Sequence, residues 1–250
     1  MSQQLLSSMF NHQSIRHYLD QPLTAEQVSN IERAVLQTSS SCFFQMVTTI
    51  RVTDRARLRR LAELAGNQDN IATCAEYWVF CLDCTKLMHA GELRTPMPFR
   101  FLYSGLNDVS LCCQQALVAA EAQGLGCVII GGHKPGAREM TQILKLPRGV
   151  IPALCLCIGV PDEEYREAQK PRLPRHWLIM ENEFHDPYDA AELEAYNAQM
   201  RSYYASRRHG ARDDDWLGSC RELLDHPNDQ PQHLTAWMEY LIDQGYSLSF

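Results

Sequence analysis

"GLGCVIIGG", residues 124–132, is where the sequence chooses between two architectures. G-x-G beside an apolar run suggests a dinucleotide-binding turn, which needs its glycines to follow a strand and open a helix onto a pyrophosphate. The order here is the reverse, because Gly124 and Gly126 come before most of the apolar run 127–130. Gly124 reads instead as the stop of the helical stretch in front of it. Gly131 and Gly132 leave the strand. They form either an ordinary strand-exit turn or a place where the backbone approaches a flat ligand and offers its N–H groups.

Outward from this point helices and strands are interleaved, without repeats. The helix stopped by Gly124 is expected from about Asp108, after an irregular stretch holding Pro96 and Pro98. Before that, "YWVFCLDC" (77–84) has the continuous apolar character of a buried strand, and "FQMVTTIRVT" (44–53) is β-branched. Thr24 and Gln27 make a capping box for a helix with Val28, Ile31 and Val35 on one face. Asp54 is a candidate N-cap for a helix that stops at Gly66. On the other side lie a short helix, "AREMTQIL" (137–144), and a strand, "ALCLCIG" (153–159). A charged, proline-rich loop follows at 160–177, and from Pro187 the pattern is helical only. Four strands among six or more helices give an α+β or α/β core.

Composition narrows the function classes. The 250 residues are 45% hydrophobic and 21% charged, ordinary for a globular protein. A net charge of −7 argues against a general nucleic-acid binder, which needs a basic face to displace counterions. Neither a secretory signal nor an apolar stretch of membrane-spanning length is visible, so a cytoplasmic, reducing location is expected. The ten cysteines are then small hydrophobes rather than disulfides. Cys81 and Cys84 mimic C-x-x-C, but residues three apart on a strand point to opposite faces and cannot share a metal. No metal is expected.

Three segments gather donors for an anion. "HQSIR" (12–16) holds His12, Ser14 and Arg16, either as a solvated approach to a helix or as ligands converging on one group. "QKPRLP" (169–174) sets Lys170 and Arg172 around Pro171, either a surface pair or two cations aimed by a stiff loop. "RSYYASRRHGAR" (201–212) ends a helix with Arg207, Arg208 and Arg212, which either complement the helix dipole or suit a phosphate. No G-x-x-x-x-G-K-[ST], H-E-x-x-H or G-x-S-x-G occurs.

"HQSIR", "SSSCFFQ" (39–45), "GNQDN" (66–70), "EYWVFCLD", "ALVAAEAQGLG", "IGG", "LKLP" and "KPRLP" resemble, in order and spacing, one family. It is the oxygen-insensitive NADPH nitroreductase and flavin reductase group (nitroreductase A type) of the FMN-dependent nitroreductase superfamily. The likeness runs from about His12 to Trp177 and is looser beyond.

The resemblance implies an α+β fold with a mostly antiparallel central sheet flanked by helices, in an intertwined homodimer that encloses two FMN sites. A core at 1–180 binds FMN, and a helical extension at 181–250 contributes to the donor and acceptor site. Matching positions assign His12, Ser14, Lys170 and Arg172 to the flavin phosphate, with Gln13, Ile15 and Pro171 beside them. Arg16 and Gln68 face the ribityl chain and pyrimidine edge, Ser40 lies on the flavin site, and Ile129, Ile130, Gly131 and Gly132 border the ring. Arg207 and Arg212 match the arginines that hold the NADPH phosphate. The implied activity is hydride transfer from NADPH to FMN and reduction of a small-molecule acceptor, such as a nitroaromatic, a quinone or free flavin, in a ping-pong cycle. An FMN enzyme with a specific metabolite substrate and a flavin-binding protein without turnover are the alternatives. Gln13 and Asp213 stand where the family carries arginines, and Ile129 where it often carries tyrosine.

Overall fold

The computed structural model describes residues 2–131, 136–225 and 229–248. Its spine is β2 (Glu76–Asp83), all eight residues of which are buried. Trp78, Phe80 and Leu82 enter one core, and Tyr77, Val79 and Cys81 enter a second on the opposite face. That is the alternation of a pleated strand covered on both sides. β1 (Val47–Val52) and β4 (Val150–Gly159) flank it, and β3 (Gly126–Ile130) lies beyond β4, giving the order β1-β2-β4-β3. Every pairing is antiparallel, so the chain is α+β.

β4 begins earlier than the apolar pattern suggests and runs through Pro152. The register slips there, with Phe80 opposite Leu154 and Cys81 opposite Pro152. β3 pairs only with residues 155–159, so the missing N–H of Pro152 breaks no bond of that ladder.

The first core is closed by α2 (Ala25–Leu36) and α6 (Phe99–Glu121), together with Tyr240, Leu241 and Tyr246. The second is closed by α3 (Arg55–Leu64), α4 (Asp69–Thr73) and α7 (Ala137–Leu144), while the short α5 (Thr85–His89) follows β2. The Thr24–Gln27 capping box is formed, and Asp54 accepts from the Arg57 N–H at 2.8 Å. Cys81 faces the second core and Cys84 the first. Burial, then Asp83, pushes the Cys81 thiol up to about 12, so it stays protonated and inert.

α6 departs from expectation, because it starts at Phe99 rather than near Asp108. Pro98 occupies its N-cap position, where a proline lacks nothing the helix needs. Gly105 does not break it, since a Cβ there would overlap Leu82, and its absence lets the helix lie close to β2. Asp108 therefore sits inside the helix, buried, rather than capping its start. Ser2–Phe10 forms a further helix, α1, that the sequence pattern does not signal.

The chain divides into two compact units, Met1–Asp162 with Pro231–Phe250, and Glu163–Gln230. The first holds the sheet and both cores. The second holds α8 (Arg175–Leu178), α9 (Ala190–Ser206) and α10 (Trp216–Asp225), with a small core of Tyr196, Met200 and Tyr204. α11 (Asp229–Asp243) leads the chain back to the first unit. There Met97 N–H donates to Gly245 O at 2.7 Å, and the Tyr246 hydroxyl donates to Gly149 O at 3.0 Å. No helix among the described residues is long and apolar enough to cross a membrane.

Candidate functional site

In the first unit, residues 12–19 lie against the sheet where β3 begins and β4 ends. Ser14 bridges Cys127, Ile15 N–H donates to Cys127 O at 2.8 Å, and Leu19 N–H donates to Val160 O at 3.0 Å. The close approach depends on two glycines. A Cβ on Gly126 would come within 2.7 Å of Ile15, and one on Gly159 within 2.6 Å of Tyr18. The Tyr18 hydroxyl donates to Ile15 O at 2.6 Å. Burial, then the thiols of Cys157, Cys127 and Cys74, raises that phenol well above its ordinary value, so it remains a donor.

His12, Gln13, Ser14, Ile15 and Arg16 are thus brought beside the strand that delivers Ile129, Ile130 and Gly131. Ile130 is 3% exposed and Ile129 37%, so one apolar side chain faces outward just before the glycine. Gly132 lies outside the described residues. His12 is held by a partner the sequence did not suggest: its Nδ1 lies 2.7 Å from Oε1 of the mostly buried Glu121, the last residue of α6. Gln68 stands at the head of α4, where Gly66 and Asn67 take left-handed conformations to turn the chain, and its side-chain amide donates to Ala65 O at 2.8 Å.

Ser40 sits on a different feature of the same unit. Its hydroxyl donates to Asp108 Oδ2 at 2.8 Å and accepts from Gln45 N–H at 2.8 Å, while Ser41 N–H reaches Asp108 Oδ1 at 2.9 Å. Asp108 thereby holds a loop in which Cys42, Phe43 and Gln45 all have positive φ. The loop borders a cavity of about 400 Å³, lined also by Arg51, Trp78 and Cys112. Arg51 is committed there, with Nη2 2.7 Å from Glu76 Oε1 and Nε 3.0 Å from Oε2.

Lys170, Pro171, Arg172, Arg207 and Arg212 all belong to the second unit. Arg172 Nη1 donates to Lys170 O at 2.9 Å, and the Tyr196 hydroxyl donates to Pro171 O at 3.4 Å. Lys170 Nζ lies 5.2 Å from the centre of the Tyr204 ring, and the Arg212 guanidinium carbon 4.2 Å. Burial raises the Tyr204 phenol, but Lys170, Ser219 and Arg212 outweigh it and bring it below its ordinary value. Arg212 also pairs with Asp214 at 2.7 Å, and Arg201 with Asp215 at 2.7 Å. Glu167 accepts the backbone N–H groups of Arg208 (3.1 Å) and His209 (2.9 Å), and Tyr165 stacks on the His209 ring. The turn after Arg207 is fixed by these contacts.

Two of the expected residues carry a buried polar atom without a hydrogen-bond partner, Gln13 Oε1 and Arg207 Nε. Such atoms are costly unless something meets them, and both lie on segments read as ligand-binding. In the second unit the cations at Lys170 and Arg172 suit an anion, and in the first the outward Ile129 suits a flat apolar group. Sequence reasoning missed Glu121, Asp108 and Glu167, whose partners lie far off in the chain, and Tyr204, which lies inside the segment 201–212 but carries no charge to single it out.

Comparison with known proteins places the chain in a family. Residues 170–249 match the nitroreductase family, C-terminal domain. The chain is 38% identical, over 94% of its length and 95% of the relative's, to an oxygen-insensitive NADPH nitroreductase of Salmonella typhimurium. Nitroreductase A from Vibrio parahaemolyticus superposes with a TM-score of 0.87 at 31% identity, covering 98% of this chain and 99% of that one. NADPH:FMN oxidoreductase from Vibrio harveyi, solved with NAD+, gives 0.86 at 28% identity, covering 98% and 100%. On the strength of that nearly full-length identity, the chain belongs to the nitroreductase family, in its oxygen-insensitive NADPH nitroreductase and flavin reductase group.

Proposed function

We infer that this protein is an FMN-dependent oxidoreductase that takes a hydride from NADPH and reduces small acceptors such as nitroaromatics, quinones or free flavin. The observation that carries this is the 38% identity, across nearly the whole of both chains, to an NADPH nitroreductase. FMN, when bound, supplies the hydride and electron chemistry, so the protein needs no nucleophile of its own.

The residues then divide the work. His12, Ser14, Lys170 and Arg172 hold the flavin phosphate, with Gln13, Ile15 and Pro171 alongside. Arg16 places a fixed positive charge at the pyrimidine edge, where negative charge develops, and Gln68 hydrogen-bonds the same side. Ile129, Ile130, Gly131 and Gly132 border the ring, Ser40 lies on the flavin site, and Arg207 and Arg212 hold the NADPH phosphate. The core at 1–180 binds the flavin, and residues 181–250 complete the donor and acceptor site. Donor and acceptor use that site in turn, which makes the cycle ping-pong. The cell compartment that fits is the cytoplasm, where NADPH is present and thiols stay reduced.

The visible spectrum tests the function. The purified protein should carry the yellow absorbance of FMN and lose it on anaerobic addition of NADPH. A colourless preparation that takes up no FMN would overturn the reading. Bound flavin that NADPH does not bleach would favour a carrier, or an FMN enzyme with another donor.

The protein acts as a homodimer. α1 and α6 leave Leu6, Phe10, Tyr103 and Leu111 exposed, as are Leu36 and Phe43, more apolar surface than scattered single residues account for. An obligate interface of this kind buries above about 2,000 Å². Sedimentation should give twice 28.6 kDa. A flavin-loaded monomer at micromolar concentration would contradict it.

Donor choice favours NADPH by a modest factor. Asp214 and Asp215 are already paired with Arg212 and Arg201, leaving Asp213 as the acidic neighbour that replaces a family arginine. Exposed pairs are worth only about 0.2–1 kcal/mol. Asp213→Arg should lower the KM for NADPH and leave that for NADH nearly unchanged. Steady-state kinetics in which the unmodified protein uses NADH equally well would refute the preference.

A further inference from the structure

Tyr204 carries no chemistry that the reaction needs, yet it is 5% exposed and is approached by cations from two separate segments. Lys170 reaches it from the loop before α8, with Nζ 5.2 Å from the ring centre. Arg212 reaches it from beyond the turn that ends α9, with its guanidinium carbon 4.2 Å away. Arg212 N–H also donates to Tyr204 O at 3.3 Å, so side chain and backbone are both referred to this one residue. Each cation is attracted to the electron-rich ring face. Two long, flexible side chains are thereby held to one rigid reference.

We propose that Tyr204 is a positioning residue for both phosphate sites, its ring aligning Lys170 for the flavin phosphate and Arg212 for the NADPH phosphate. The proposal rests on the assignment of those two cations made above. Asp214 and Ser219 complete the frame around Arg212, Asp214 at 2.7 Å and the Ser219 hydroxyl at 3.4 Å. Arg212 is thus fixed before the donor arrives, and the cost of ordering it does not fall on binding.

The test uses the full chain and reads FMN affinity by fluorescence titration of the apoprotein, alongside KM for NADPH and for NADH. Tyr204→Phe keeps the ring face but removes the hydroxyl on which Lys170 and Ser219 also act, so it should change each value less than Tyr204→Leu does. Tyr204→Leu should weaken FMN and raise KM for NADPH by about 3- to 20-fold, with kcat and KM for NADH nearly unchanged. Because Tyr204 belongs to the small core, the leucine variant could fail for packing alone. Ring-fluorinated phenylalanines at position 204 keep the packing and deplete the negative face, so the FMN dissociation constant and KM for NADPH should rise together with fluorine number. No trend with fluorination, while Lys170→Ala weakens FMN and Arg212→Ala raises KM for NADPH, would overturn the proposal. If Lys170→Ala and Arg212→Ala are themselves without effect, the underlying site assignment is what fails.

Discussion

Replacing Arg16 and Arg172 together by alanine should raise the FMN dissociation constant by roughly 10²- to 10⁴-fold. A hydrogen bond from a charged donor is worth about 1.5–3 kcal/mol net, or roughly 10- to 150-fold for Arg172→Ala alone. The two positions come from different parts of the chain, so their losses should add if neither leans on the other. Neither guanidinium is paired with a carboxylate among the described residues. Arg16 donates to Ser14 O at 3.4 Å and Arg172 to Lys170 O at 2.9 Å. Their charge is therefore available for an anion, and losing it leaves no buried carboxylate stranded. The double variant should keep its near-ultraviolet circular dichroism while losing flavin on dialysis. Flavin content and affinity equal to those of the unmodified protein would show that the flavin site has been misplaced.

Asp108→Ala should destabilise the protein by about 2–4 kcal/mol, a large share of the roughly 5–15 kcal/mol available to a folded domain, since hydrogen bonds to a charged group are worth about 1.5–3 kcal/mol each. The carboxylate is 2% exposed and accepts from Ser40 and Ser41. Its loss leaves the Ser41 N–H and the Ser40 hydroxyl without their acceptor. Release of Cys42, Phe43 and Gln45 from left-handed conformations, which cost about 1–3 kcal/mol each to hold, would offset part of that loss. Asp108→Asn keeps one acceptor oxygen and should lose less. Urea unfolding measures both. A loss below about 1 kcal/mol for the alanine variant would mean that the loop is held by something else.

Local signals made much of the fold legible. Thr24 with Gln27, Asp54, Gly66 and Gly124 mark helix ends through chemistry within a few residues, and each end lies where that chemistry puts it. β2 was visible because a strand covered on both faces must be apolar throughout. The first turns of α6 were not, because Pro96 and Pro98 read as an irregular stretch, and nothing local shows that β2 lies against Gly105. The same limit applies to the site. "HQSIR" and "KPRLP" announce themselves by charge and proline, whereas Glu121 beside His12 and Asp108 beside Ser40 are contacts across 109 and 68 residues. No short window of sequence contains them.

The return of residues 231–248 to the first unit has a consequence for synthesis on the ribosome. The sheet strands are all made by residue 159, yet the first core still lacks Tyr240, Leu241 and Tyr246. The second unit is one continuous stretch, Glu163–Gln230, and its residues are complete earlier. Translation at about 5–20 residues/s leaves roughly 4–17 s between finishing the sheet-bearing stretch and supplying Tyr246. During that interval the first core lacks part of its filling. Completion thus runs against chain order: the core of the first unit is filled only after every residue of the second has been made.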